Sequence, residues 1–226
     1  GSNHPQPETM APKKPAGKVD LSLVICTYGR TKQLAEFIQS IRCQSVAPKE
    51  IIIVDQNPPG FLDNLLEDCA GKLNIFHKRV TFTGASKARN FGASIATSDL
   101  IAFPDDDCIY SEDTIKNVIR GFERDNKLGV LIAGKDEILN AAPKVKNQGE
   151  NTMIEIHTIL DLFRAKAETS NIFARKKVLS DLEYVFDINI GPGKVTEWAS
   201  NEETDLLVRL LQKNVLIAKD ETIRII

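Results

Sequence analysis

Beyond a proline-bearing lead over residues 1–18, hydrophobic positions alternate between short β-type runs and helical spacing. LSLVICT at 21–27 reads as a strand. The stretch that follows, 31–44, puts Leu34, Phe37, Ile38 and Ile41 at i, i+3, i+4 and i+7 of an amphipathic helix. EIIIVD at 50–55 is almost unbroken and β-branched, as expected of a strand covered on both faces of a parallel sheet. A helix over 61–70 and a short strand over 73–77 come next, then a small-residue helix over 84–98 and the strand DLIAFPDDD at 99–107, which runs into three acids. Residues 111–122 form a helix opened by Ser111, with Ile115, Val118, Ile119 and Phe122 on one face. GVLIAG at 129–134 is a further strand, 135–151 a polar loop and 170–174 a strand. The glycine-bearing stretch 191–198 then leads to an acid-headed helix over 202–213 and a last strand at 215–218. This alternation predicts one α/β domain over 19–226, built on a layered sheet with right-handed crossovers.

The lead holds four of the ten prolines and no apolar periodicity, and so reads as disordered; Gly1 and Ser2 read as an expression scar and Met10 as a candidate native start. Charge narrows the functions. Twenty-nine Lys and Arg against thirty-one Asp and Glu give a net charge of -2, so no bulk cationic field recruits nucleic acid. No apolar run approaches the ~20 residues that span a bilayer. Cys26, Cys43, Cys69 and Cys108 form no C-x-x-C pair and read as reduced intracellular thiols.

In an open parallel sheet, ligands bind beyond the carboxyl ends of the strands. The residues there are Thr27, Tyr28, Gly29 and Arg30; Asp55, Gln56 and Asn57; and Asp105, Asp106 and Asp107. Three adjacent carboxylates repel one another, and a divalent cation removes the conflict. In an extended segment, alternation would put Asp105 and Asp107 on one face and Asp106 on the other. Hard oxygen ligands of this kind suit magnesium or manganese held jointly with substrate phosphates; the bland alternative is a solvated acidic turn before the next helix. Asp55 is either a turn residue or an acceptor for a nucleobase N–H or a ribose hydroxyl. Arg89 and Asn90 lie in a glycine-introduced helix that either favours an anion or simply packs tightly. Glu202, Glu203 and Asp205 head a helix where the macrodipole alone would favour acids, or where one serves as a general base. P-loop, dinucleotide-binding and serine-hydrolase motifs are absent, and His4, His77 and His157 are scattered.

Taken together, CTYGR, IIIVDQN, GASKARNFGASIATSDLIAFPDDD and NEETDLLVRLL resemble glycosyltransferase family 2 over about 19–214. The resemblance implies a GT-A fold, with a Rossmann-like, mostly parallel central sheet flanked by helices. It implies that Thr27, Tyr28 and Arg30 contact the nucleotide, that Asp55 binds the base, and that Arg89 and Asn90 close over the donor. Asp105 would lie near ribose or donor sugar with Asp106 beside it, and Asp107 would meet a Mn2+ or Mg2+ ion on the diphosphate, with Asp105 as second ligand. Glu202 and Glu203 occupy the family's Glu-Asp dipeptide, whose second acid is the usual inverting base. Here that acid is a glutamate, so both remain candidates. The Q-x-x-R-W element of processive synthases is replaced by VRLL at 208–211, which implies single addition.

The implied substrates are a nucleotide-diphosphate sugar, such as a UDP-, GDP- or dTDP-sugar, and a saccharide or lipid-linked acceptor in surface polysaccharide or glycolipid synthesis. The implied location is the cytoplasm, with peripheral association at the inner face of the membrane. A truncated C-terminus would account for the end of the chain at Ile226, shortly after a strand and without a basic amphipathic tail. Two rival functions are a sugar-1-phosphate nucleotidyltransferase, which needs a more glycine-rich loop than CTYGRTK, and a catalytically silent nucleotide-sugar-binding module.

Overall fold

A computed structural model describes residues 18–136, 153–190 and 201–226. Most of the lead, nearly all of the polar loop after Lys135 and the 191–198 stretch with Trp198 lie outside the described residues. The first half alternates as expected: β1 (Leu21–Thr27), α1 (Lys32–Arg42), β2 (Glu50–Asp55), α2 (Asp63–Cys69), β3 (Ile75–Arg79), α3 (Ala85–Ile95), β4 (Leu100–Ala102), α4 (Thr114–Arg124) and β5 (Leu128–Lys135). Then come β6 (Met153–Ile156), α5 (Ile159–Ala165), a 3-10 turn (Thr169–Asn171), β7 (Ile172–Arg175), α6 (Lys176–Ser180), α7 (Glu202–Gln212) and β8 (Leu216–Ile225).

The eight strands form one sheet in the order β3-β2-β1-β4-β7-β5-β8-β6. Its left side, β3-β2-β1-β4, is wholly parallel. β7 then enters antiparallel between β4 and β5, β5 and β8 are parallel, and β6 closes the edge antiparallel to β8. The sheet is therefore mixed, and parallel throughout the half that carries the predicted site.

Strand alternation splits the core into two layers. Leu21, Leu23 and Ile25 of β1 pack with Phe37 and Ile41 of α1 and with Ile115, Val118 and Phe122 of α4. Val24 and Val54 face the opposite layer, with Ala88 of α3 and with Leu206 and Leu210 of α7. The small residues of α3 let the helix approach closely: a Cβ on Gly92 would stand 2.3 Å from Val24 Cγ1 and 3.2 Å from Val54 Cγ2.

Three local expectations are corrected. β4 ends at Ala102, and Asp106 and Asp107 lie in a turn, so the strand does not extend through the acids. α4 begins at Thr114 with Asp113 at its cap position; Ser111 Oγ meets Thr114 Oγ1 at 2.9 Å and does not cap the helix. The last strand runs to Ile225, and β6 and α5 were not foreseen; α5 is opened by a reciprocal capping box between Thr158 and Asp161.

Candidate active site

The parallel half brings the strand-end residues together. Thr27 and Asp55 are register partners at the ends of β1 and β2. Across β1 and β4, Thr27 Oγ1 donates to Asp106 Oδ2 at 2.9 Å. Arg30, in the loop after β1, reaches the same turn: its Nη1 lies 3.1 Å from Asp106 Oδ1 and 2.7 Å from Asp107 Oδ2. Because the acids sit in a turn, strand alternation does not set which way their side chains face. Asp106 and Asp107 share Arg30, while Asp105 turns to a different arginine.

That arginine is Arg89, one turn into α3 and buried. Its Nη2 lies 3.1 Å from Asp105 Oδ1 and its Nη1 lies 3.1 Å from Glu202 Oε1, at the head of α7. Its guanidinium also rests 5.7 Å from the Phe186 ring centroid. One side chain thus ties the acidic turn to the acid-headed helix. Asn90, its neighbour, spends both ends of its amide on the Phe186 backbone, donating to O at 2.7 Å and accepting from N at 2.8 Å. Asn90 thereby fixes the ring against which Arg89 lies. Tyr28 is 66% exposed beside the cleft.

The two glutamates differ in environment. Glu202 is buried and neutralised by Arg89. Among the described residues Glu203 has no ion-pair partner, and its carboxyl takes a hydrogen bond only from its own backbone N–H. Burial pushes its carboxyl up to about 7 against the pull of its own backbone N–H, with Glu202 adding to the rise and Arg89 opposing it. A carboxyl poised near neutrality is matched to proton abstraction, whereas one locked to an arginine is matched to positioning.

Burial also raises the carboxyls of Asp105 and Asp106, with Arg89 pulling the first down and Thr27 and Arg30 the second. The acids hold Arg30 more firmly protonated than usual, Asp106 most of all. Among the described residues, no group of three or more His, Cys, Asp or Glu could hold an ion alone. The donor set nevertheless fits an ion that completes its shell with diphosphate and water oxygens. Asp105 and Asp107 have side chains 40% and 50% exposed, and Asp105 Oδ2 and Asp107 Oδ1 make no hydrogen bond among the described residues.

Sequence reasoning missed His77, on edge strand β3, whose Nε2 lies 2.8 Å from Asp55 Oδ2. The usable signal was the register: β3 pairs with β2 so that His77 lies opposite Ile53, two positions before Asp55.

The model of the family described as Glycosyl transferase family 2 matches residues 22–179, which include Thr27, Asp55, Arg89 and all three aspartates. The chain belongs to glycosyl transferase family 2. Family relatives include the glucosyl-dolichyl phosphate glucuronosyltransferase of Haloferax volcanii, 30% identical over 50% of this chain and 37% of that one. The minor teichoic acid biosynthesis protein GgaB of Bacillus subtilis is 26% identical over 76% of this chain and 20% of its own. Among solved structures, S. aureus TarS 1–349 in complex with UDP superposes with a TM-score of 0.67 at 20% identity, covering 88% of this chain and 57% of that one. Its complex with UDP-GlcNAc gives 0.67 at 19% identity, covering 88% and 55%. These likenesses establish the GT-A fold expected for the family. The chain spans about a third to somewhat over half of the first relatives and structures it matches, and a fifth of GgaB. No described helix is long and apolar enough to cross a membrane.

Proposed function

We propose that the protein is an inverting, metal-dependent glycosyltransferase that moves a sugar from a UDP-sugar to a hydroxyl of a saccharide or lipid-linked acceptor. The observation that carries this is the division of labour at α7. Among the described residues Glu203 has no ion-pair partner and its carboxyl lies near 7, while Glu202 is locked to Arg89, which also holds Asp105 of the acidic turn. The UDP and UDP-GlcNAc complexes of the TarS neighbour support the choice of nucleotide. The teichoic acid and dolichyl phosphate relatives support a polymer or lipid-linked acceptor; in this reading it is reached from the cytoplasm at the membrane's inner face.

In this mechanism Thr27 and Asp55 seat the nucleoside, with Tyr28 covering it. Asp107, with Asp105 beside it, would hold a manganese or magnesium ion, which when bound neutralises charge on the departing diphosphate. Arg30 leaves the acids to meet a phosphate oxygen. Arg89 fixes Asp105 and Glu202 together, so that the α7 head stands at a set place relative to the donor. Glu203 Oε takes the proton of the acceptor hydroxyl as that oxygen bonds to the anomeric carbon and the diphosphate leaves with the electrons of its own bond to it. One displacement inverts the configuration.

The test is UDP release from UDP-GlcNAc and other UDP-sugars with manganese, in the presence of simple acceptors and of water alone. Release abolished by Asp107→Ala and by chelation fits the proposal. UDP-sugar binding without release under any acceptor assigns the chain to the silent binding modules.

A further inference from the structure

The nucleotide end of the cleft contains a hydrogen-bonded chain that runs from two strands into two loops and involves no metal-facing residue. It starts on β3, where His77 Nε2 lies 2.8 Å from Asp55 Oδ2. An ionised carboxylate only accepts, so His77 Nε2–H is the donor. The other oxygen of Asp55 accepts twice from Asn57, from its backbone N–H and from its side-chain Nδ2–H, each at 2.8 Å. Asn57 in turn uses its Oδ1 to accept the Gly29 N–H at 2.6 Å. Gly29 is held at φ +72°, a left-handed conformation that other residues rarely adopt, between the exposed Tyr28 and Arg30. An edge-strand histidine therefore reaches, through two buried side chains, the loop that lines the nucleotide site.

The acceptor count gives this chain a consequence for specificity. A carboxylate offers about four lone-pair sites, two on each oxygen. Asn57 occupies both sites of Oδ1, and His77 occupies one of Oδ2. Counting the described residues, one acceptor site remains on Asp55. A uracil or thymine ring presents a single N–H, at N3, and matches one site. Guanine presents N1–H and the N2 amino group side by side and needs two acceptors. Cytosine presents an unprotonated N3, which repels a carboxylate oxygen.

We propose that His77 is a positioning residue for nucleobase recognition: with Asn57 it leaves Asp55 one acceptor site, which selects uracil or thymine over guanine and cytosine, and it steadies the Tyr28–Arg30 loop. This rests on the assignment of the cleft to a nucleotide sugar.

The test is calorimetric titration of the whole chain with UDP, dTDP, GDP and CDP in manganese, for the wild type, His77→Leu and His77→Gln, with thermal unfolding of each. Wild type should bind UDP and dTDP at least about tenfold more tightly than GDP and CDP, the effect of one hydrogen bond to a charged group. His77→Leu should weaken UDP about tenfold and narrow the margin over GDP, while His77→Gln, which keeps an N–H donor, should restore most of both. A purely structural histidine would lower the unfolding temperature and leave the UDP-to-GDP ratio unchanged, and that result overturns the proposal. If His77→Leu does not fold, Asn57→Ser breaks the next link, and wild-type UDP affinity and margin there overturn it equally. Wild-type discrimination retained in a folded His77→Leu overturns this inference alone. No binding of any of the four nucleotides to the wild type overturns the nucleotide-sugar assignment, and the inference with it.

Discussion

Replacing Glu203 with Gln separates chemistry from stability, and the two should move in opposite directions. The carboxyl sits at about 7 when folded, against 4.5 for an ordinary glutamate. In the wild type the deprotonated fraction, and with it kcat, should fall about tenfold per pH unit below about pH 6. Glu203→Gln should reduce kcat by about a hundredfold or more above about pH 7, with the gap to wild type closing as pH falls, while leaving the Kd for UDP unchanged, since a general base contributes about that much. The same raised carboxyl costs stability. Between pH 4.5 and about 7 the folded chain holds a proton that the unfolded chain has released. The associated stability is full below the lower value, declines as pH rises and is lost above the upper one. The displacement corresponds to about 3 kcal/mol, and partial contact with solvent reduces it to about 2. Glu203→Gln should therefore raise the unfolding temperature by roughly 4–8 °C near pH 8 and by almost nothing near pH 4. Scanning calorimetry at the two pH values and a steady-state pH profile of UDP release provide the readouts. A variant that keeps wild-type kcat, or whose thermal gain is equal at both pH values, would refute the assignment of the base to Glu203.

Other perturbations address the rest of the cleft. Asp107→Ala should abolish manganese-dependent transfer, and near-normal turnover in saturating manganese would remove Asp107 as a ligand. Arg30→Gln should act with opposite signs on two ligands: with Arg30 gone from Asp106 and Asp107, manganese measured by electron paramagnetic resonance without donor should bind more tightly, while UDP binds more weakly in calorimetry. Arg89→Met should leave Glu202 buried without its partner, costing about 3–5 kcal/mol in chemical denaturation, and should move the acid limb of the pH profile upward because Arg89 holds the Glu203 carboxyl down. Gly92→Ala should cost about 1–3 kcal/mol, because its Cβ would overlap Val24 and push α3 off the sheet.

Much of the parallel half was legible because its signals are local. LSLVICT and EIIIVD are long apolar runs that stop at polar residues, and the stopping points are where Thr27 and Asp55 pair. The antiparallel insertion of β7 was not legible. Its four residues, IFAR, say only that a strand exists, and its place between β4 and β5 is decided by long-range pairing. β6 and α5 were hidden for a similar reason. β6 is a four-residue edge strand with two exposed positions, and α5 shows its start only through Thr158 and Asp161.

The site repeats this contrast at the level of single side chains. The spacing of acids and arginines gave their neighbourhood, yet which arginine holds which acid depends on where β4 stops. Pro104 follows Phe103 directly, and a proline has no N–H to continue a ladder, so the chain leaves the sheet before the acids. Strand alternation then fails, Asp106 drops onto Thr27 and Arg30, and Asp105 is left to Arg89. His77 was passed over because a histidine on a half-exposed edge strand has the sequence profile of a surface residue. Its partner lies on the adjacent strand, 22 positions earlier, and only the parallel register brings them together. The same register predicts where further determinants of the nucleotide pocket should be sought: at β3 positions that point toward the end of β2, where one side chain can change how many acceptor sites Asp55 keeps.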